Sequence, residues 1–183
     1  ILHLISHSKK TDQMDQVMDA LNQIEGAFCL VILTDDKLIA VRDPNGFRPL
    51  ALGKKDDAFL VASETCAFDI IGAEYIRDVE PGEVLVIDRN TIESKEPKSY
   101  FIPQKPNSRT AQCIFEYVYF SRPDSKIFGE NVDKVRRKIG KYLAREFPVS
   151  KILKSDPEMQ PIVISVPDSS NTAALGYAHE SLK

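Results

Sequence analysis

The segment Val166-Pro167-Asp168-Ser169-Ser170-Asn171-Thr172 joins a short apolar run, Ile162 to Val166, to an Ala-rich stretch of helical character. A strand that turns directly into a helix leaves the helix's first backbone N–H groups unpaired and its positive dipole end free, which suits a phosphate. Ser169, Ser170 and Asn171 add short polar side chains around that point. Asp168 is a poor direct neighbour for a phosphate, so the segment points to a metal ion between the two. The competing reading is that Ser170 or Asn171 merely caps the helix.

Two other segments carry candidate chemistry. Arg42-Asp43-Pro44-Asn45-Gly46-Phe47-Arg48-Pro49-Leu50 sets two arginines on either side of a tight turn. Pro presets φ there, while Asn and Gly tolerate positive φ. Arg binds a carboxylate or phosphate through two parallel hydrogen bonds; equally, Arg42, Asp43 and Arg48 can clamp the turn to the next strand. The stretch from Cys113 to Ser125 is aromatic with embedded charges. It predicts packing between layers or domains, with aromatics buried and polar groups fixing orientation. A lone cysteine such as Cys113 is usually a small buried hydrophobe. Cys29, Cys66 and Cys113 are widely spaced without a C-x-x-C pair, a pattern that argues against a disulfide framework and fits a reducing cytosol. His3, His7 and His179 show no ligand spacing, and the sequence holds no H-E-x-x-H, G-x-S-x-G, Walker or G-x-G-x-x-G motif.

The elements that must position these residues follow from periodicity. Ile1, Leu2, Leu4 and Ile5 read as the middle of a helix, and Thr11 is a cap for a second one, Asp12 to Ile24. Ala27 to Leu33 predicts a buried strand, paired in a hairpin with Lys37 to Val41. Phe59 to Ala62, Tyr75 to Val79 and Glu83 to Asp88 are further strands, and Ser63 caps a short helix reaching Ile71. Polar residues 92 to 110, with Pro97, Pro103 and Pro106, read as a linker. Beyond it, Asn131 to Phe147 predicts a basic amphipathic helix with Val135, Ile139, Tyr142 and Leu143 inward. Ile162 to Val166 predicts a strand, and Ala173 to Lys183 a helix without a closing Gly or Pro. The first part is α+β and layered; the second opens a parallel α/β domain.

Composition excludes several classes. Of 183 residues, 43% are hydrophobic and 28% charged, an ordinary globular balance. Net charge is −3 with no long basic run, so no footprint for nucleic acid exists. No apolar run approaches the ~20 residues of a membrane-spanning helix, and no signal or transit peptide is visible at Ile1-Leu2-His3-Leu4.

Gly26-Ala27-Phe28, the segment from Arg42 to Leu50, Ala62-Ser63-Glu64-Thr65 and Pro81-Gly82-Glu83 together resemble the later half of a class II glutamine amidotransferase domain. Cys113 to Ser125 and Val166 to Ser170 resemble the domain junction and pyrophosphate loop of the phosphoribosylpyrophosphate amidotransferases. The resemblance implies an αββα N-terminal-nucleophile glutaminase domain, here residues 1–108. It implies next the junction and start of a type I phosphoribosyltransferase domain, residues 109–183. It implies an enzyme that converts phosphoribosylpyrophosphate to phosphoribosylamine with ammonia from glutamine, at the first step of purine synthesis. Asp168, Ser169, Ser170 and Asn171 would then bind substrate, Ser169 would be a Mg2+-associated hydroxyl, and Cys113 a first ligand of a [4Fe-4S] cluster. Purine nucleotides as inhibitors, a homo-oligomer and a cytoplasmic site follow from the same resemblance. Residue 1 is Ile, not the nucleophilic Cys of the family, so the 183-residue chain alone is expected to be inactive in both half-reactions. Two other readings stand beside this one. One is a class II amidotransferase of another kind, such as a glucosamine-phosphate synthase; the other is a non-catalytic phosphoribosylpyrophosphate-binding regulator.

Overall fold

The computed structural model describes residues 1–103, 109–153 and 161–181. The elements run α1 (Leu2–His7), α2 (Gln13–Asn22), β1 (Cys29–Leu33), β2 (Lys37–Arg42), β3 (Ala51–Lys55), β4 (Ala58–Ala62) and α3 (Cys66–Ile71). They continue as β5 (Glu74–Asp78), β6 (Glu83–Asp88), α4 (Arg89–Ser94) and β7 (Lys98–Phe101). After a short π-helix, Glu116–Phe120, come α5 (Val132–Glu146), α6 (Val149–Leu153) and α7 (Asn171–Ser181). Two compact units result: residues 1–63 with 68–113, and residues 64–67 with 114–183.

In the first unit, α2 starts where the Asp12 carboxylate accepts the Met14 and Asp15 N–H groups at 2.8 and 3.1 Å. Asp12, not the expected Thr11, is therefore the cap. The stripe read from the sequence packs Val17 and Leu21 on Ile39, Val41, Val84 and Val86. These belong to a four-stranded antiparallel sheet in the order β1-β2-β6-β7, with the predicted hairpin running from Cys29↔Arg42 to Leu33↔Leu38. A second sheet, β4-β3-β5, meets the other face of the first through Ala40, Leu50, Leu52 and Leu85. Side chains alternate along a strand, so Gly53 points away from Leu52, and Phe68 of α3 packs there. A Cβ on Gly53 would stand 2.8 Å from the Phe68 ring, so the glycine is what lets the helix close down. The layers are thus helix, sheet, sheet, helix.

Two expectations change here. Ala27 to Leu33 is not a buried strand: β1 is an edge, and Val31 and Leu33 are 56% and 78% exposed. Its near-continuous apolar run hides that only one face has α2 against it. The polar residues 92 to 110 are not all linker, because Lys98–Phe101 pairs with β6 as the outer strand. Lys and Ser on that strand fit an edge, where charge discourages further pairing. The expected boundary at residue 108, and Pro106, lie outside the described residues. Strand β3 escaped sequence reading because Ala-Leu-Gly-Lys-Lys has little β character.

Glu83 anchors the start of β6. It is 1% exposed, and it accepts Arg77 through both oxygens at 2.7 and 2.8 Å, Ser99 at 2.6 Å and the Glu80 N–H at 2.7 Å. Burial works to raise its carboxyl, but Arg77, Ser99 and the Glu80 N–H outweigh it and hold the group below the ordinary glutamate range.

In the second unit, α5 and α7 pack closely. Residues Val132, Arg136, Gly140 and Ala144 form the buried stripe of α5, four apart. The expected inward set fails for three of its four members: Val135 is half-buried, but Ile139, Tyr142 and Leu143 are 40–51% exposed. The reason lies in two glycines. A Cβ on Gly140 would fall on the Ala173 carbonyl oxygen, and one on Gly176 on the Arg137 carbonyl oxygen. Backbones meet at that seam, so small residues fill it and the bulky apolar ones turn aside. The Tyr177 hydroxyl donates to the Phe147 carbonyl at 2.7 Å and Arg145 pairs with Glu180 at 2.9 Å, fixing the helix register. Among the described residues no helix is long and apolar enough to cross a membrane.

Two outcomes follow. A carboxyl held low in the fold adds stability at pH above its unfolded value of 4.5, and that stability is lost as pH falls through the lower folded value. Urea midpoints should therefore drop on acidification below that range, and the drop should be smaller in Arg77→Met. At neutral pH that variant should lose roughly 1–3 kcal/mol, toward the lower end because Arg77 is 38% exposed. Gly140→Ala should destabilise the second unit by about 1–3 kcal/mol, read as lost amide-exchange protection in α5 and α7 with β2 and β6 unchanged.

Candidate functional site: the loop before the last helix and its supports

The turn between β2 and β3 resolves the two readings of its arginines for Arg42. That residue is 2% exposed and donates to the carbonyls of Arg48 at 2.9 Å, Val79 at 2.6 Å and Gly46 at 3.0 Å. It is a clamp. Asp43, fully buried, accepts the N–H groups of Asn45 at 2.9 Å and Phe47 at 3.2 Å. Gly46 takes φ 63° with Pro81 against it, a conformation and a space that favour glycine. Arg48 is exposed.

The outer edge of this turn carries the residues before the aromatic stretch. Ala111 donates to Asn45 O at 2.8 Å and Cys113 to Phe47 O at 3.0 Å, while the Asn45 amide donates to Arg109 O at 2.8 Å. Cys113 is half-buried and its thiol is free of any disulfide. Among the described residues no three His, Cys, Asp or Glu side chains gather to hold a metal. Cys113 offers one thiol, and the described residues do not complete a four-cysteine set around it.

The aromatic stretch itself inverts the expectation drawn from its composition. Phe115, Tyr119 and Phe120 are 48–66% exposed, whereas Glu116, Ser121 and Ser125 are at most 2% exposed. Ser121 donates to Glu116 at 2.8 Å, and the buried Arg136 donates to the carbonyls of Tyr117 and Ser121. Burial pushes the Arg136 guanidinium below its ordinary value, opposed by Glu64 and Asp133. Glu64 in turn accepts the Arg122 N–H at 2.8 Å and the Ser125 hydroxyl at 2.7 Å, and Thr65 accepts the Lys126 N–H at 2.8 Å. Helix α3 starts only at Cys66, because Glu64 and Thr65 are engaged in these bonds. These supports were not legible in advance; the Ser-Glu-Thr sequence flagged the position, not its partners.

Asp168, Ser169, Ser170 and Asn171 form the turn that starts α7. Asp168 and Asn171 are exposed, and Ser169 and Ser170 half-buried. The capping alternative does not hold in the form expected. Ser170 turns its hydroxyl back to the Val166 carbonyl, and the Asn171 side-chain oxygen accepts Ser165 at 2.6 Å. The backbone closes the turn, with Asn171 N–H to Asp168 O at 3.2 Å and Ala174 N–H to Ser170 O at 2.8 Å. The Pro167–Asp168 peptide is cis. The carboxylate and hydroxyl oxygens of Asp168 and Ser169 are hard donors of the kind Mg2+ takes. They form no three-ligand cage, so such a cation would complete its shell with water and substrate oxygens.

Ile162 to Val166 leads into the loop but joins no sheet, and Ile162, Ile164 and Val166 are 81–84% exposed. A strand needs a neighbour, and none of the described residues lies beside it in a ladder. Val163 to Val166, Leu143 of α5, Phe147 just after it and Tyr177 of α7 line an apolar groove of about 500 Å3 next to Ser170.

Similarity to known proteins agrees with this geometry. The family model of the glutamine amidotransferase domain matches residues 1–69. The amidophosphoribosyltransferase of Methanothermobacter thermautotrophicus is 44% identical over 183 residues, 99% of this chain and 35% of that protein. Amidophosphoribosyltransferase 1, chloroplastic, of Arabidopsis thaliana is 46% identical over 182 residues, covering 99% of this chain and 29% of its own length. A solved glutamine phosphoribosylpyrophosphate amidotransferase from Bacillus subtilis, complexed with ADP and GMP, superposes with a TM-score of 0.83 at 42% identity, over 98% of this chain and 36% of that one. The chain spans about one third of the length of these relatives. In sequence along nearly its whole length and in fold, the chain is similar to a stretch of about one third of these amidophosphoribosyltransferases.

Proposed function

We propose that the chain serves, within a longer enzyme, the conversion of phosphoribosylpyrophosphate to phosphoribosylamine with ammonia taken from glutamine, in purine biosynthesis. The observation that carries this reading is 44% identity to an amidophosphoribosyltransferase over 99% of the chain, the loop 166–171 included. Residues 1–108 would be the later part of the N-terminal-nucleophile glutaminase domain, and 109–183 the junction and start of the type I phosphoribosyltransferase domain.

The chemistry assigned to the chain's own residues is binding rather than bond breaking. The start of α7, where the Asn171 N–H is already held by the Asp168 carbonyl, would offer its dipole end to a leaving pyrophosphate as charge develops. Ser169 adds a hydroxyl donor, and Ser170 and Asn171 hold the turn's shape through Val166 and Ser165. Bound Mg2+ would offset negative charge on the phosphates, with Asp168 and Ser169 next to it. Cys113, seated on the Phe47 carbonyl, would be the first ligand of a [4Fe-4S] cluster in the intact protein. A homo-oligomer, feedback by purine nucleotides and a cytoplasmic site complete the proposal, the nucleotide part supported by the ADP and GMP complex of the Bacillus subtilis relative.

The test is made on the intact parent protein. Phosphoribosylpyrophosphate consumption should rise when glutamine is added in the presence of Mg2+; no difference with and without glutamine would sink the reading. Ser169→Ala should raise the KM for phosphoribosylpyrophosphate roughly tenfold, the scale of one hydrogen bond to a charged group, at unchanged melting temperature. An unchanged KM would remove Ser169 from the site.

A further inference from the structure

Read along the sequence, His3 and His7 match no metal-binding motif, but the fold sets both on α1, Leu2–His7. Residues four apart on a helix stand one above the other on a single face. That is the spacing by which a helix offers two imidazoles to one ion. Both residues are exposed, and their ring centroids lie 6.5 Å apart, edge to face. An ion bound to both rings at about 2 Å, with a tetrahedral angle between them, would set the centroids about 5 Å apart. Rotation of the two exposed side chains about χ1 and χ2 closes that difference.

The hydrogen bond at His7 decides which of its nitrogens is free. Nδ1 lies 2.8 Å from the His3 carbonyl oxygen. A carbonyl only accepts, so Nδ1 carries the proton, and in the neutral ring the lone pair sits on Nε2. Metal-binding histidines are held in this same way. One nitrogen meets the ion while the other donates to a carbonyl or carboxylate, which fixes the tautomer and the ring's orientation.

We propose that His3 and His7 form a two-imidazole site for a divalent transition ion of the Zn2+ class, and that the bound ion staples α1. The helix is six residues long, with no side-chain bond at its N-cap and no fully buried residue. A helix this short is marginal by itself, and Ile5 packs it onto the core cluster of the first unit. An ion bridging one turn holds the helix from its outer side. Imidazole suits Zn2+, whereas Mg2+ prefers oxygen, so the pair differs in chemistry from Asp168 and Ser169. Among the described residues no third His, Cys, Asp or Glu joins the pair; water would fill the remaining positions of the ion. The site stands independently of the function proposed above.

The experiment titrates Zn2+ into the full chain and follows the histidine ring signals and amide exchange by NMR. The His3 and His7 signals should move together along one saturating curve that His179 does not share. The Ile5 and Ser8 N–H groups, bonded to the Ile1 and Ile5 carbonyls at 3.1 and 3.2 Å, report on the helix. With Zn2+ at about ten times its measured Kd their exchange should slow roughly tenfold, the factor by which a ligand suppresses opening. Exchange in β2 and β6 should not change, and Mg2+ should produce neither effect. His3→Ala and His7→Ala alter exposed residues and leave the core intact. Each should weaken Zn2+ binding roughly tenfold or more, the scale on which even an outer partner of a metal ligand counts. Rings that stay unmoved, or that titrate with different affinities, would overturn the proposal. So would saturation without slower exchange in α1. Either variant binding as tightly as the wild type would overturn it too, and would put the ion on other groups such as the thiols of Cys29, Cys66 or Cys113.

Discussion

One buried guanidinium governs how the chain crosses between the two sheets of the first unit. Strand β2 ends at Arg42, and the chain passes to the second sheet through the turn before β3; it returns between β5 and β6. Arg42 donates to Gly46 and Arg48 in the outward crossing and to Val79 in the return. Gly82 closes the loop by donating to the carbonyls of Arg42 and Asp43. A charge this deep is costly unless every donor finds a partner, and here the carbonyls of two crossings supply them. Lysine has neither the planar fork nor the number of donors to span that geometry. The bidentate Arg77–Glu83 pair stands beside the same return crossing, so polar bonds tie down this end of the sheet pair while apolar side chains fill the space between the sheets.

The second unit is organised on a different constraint. Gly140 and Gly176 let two helix backbones touch, and the seam is therefore made of small residues. That choice pushes Ile139, Leu143 and Phe147 out to a groove beside the loop from Val166 to Asn171. The loop is thus placed by rigid neighbours: α7 behind it, Val166 and Ser165 holding Ser170 and Asn171 from the side.

Much was legible in the sequence where local rules decide. The α2 stripe, the hairpin of β1 and β2, β6 and the helix after the loop, α7, were all read from periodicity and turn chemistry, because each is set by neighbours within a few residues. The resemblance to the amidophosphoribosyltransferases rested on Arg42 to Leu50, Cys113 to Ser125 and Val166 to Ser170. The errors share a cause. The burial of Ala27 to Leu33, the inward face of α5 and the buried aromatics of the junction were inferred from side-chain type, which says what a residue prefers and not what stands opposite it.

By itself the sequence determined most of the kinds of element, the order in which they occur and the family they resemble, since these depend on local spacing and on residue identity. Tertiary structure alone decided which of two plausible roles each polar residue takes. Arg42 became a clamp because three carbonyls from different segments converge on it. Glu64 became a latch because Arg122 and Ser125, about sixty positions later, bring their donors to one oxygen. Hydrogen-bond partners distant along the chain leave no periodic trace, and they exist only once the fold has brought them within about 3 Å.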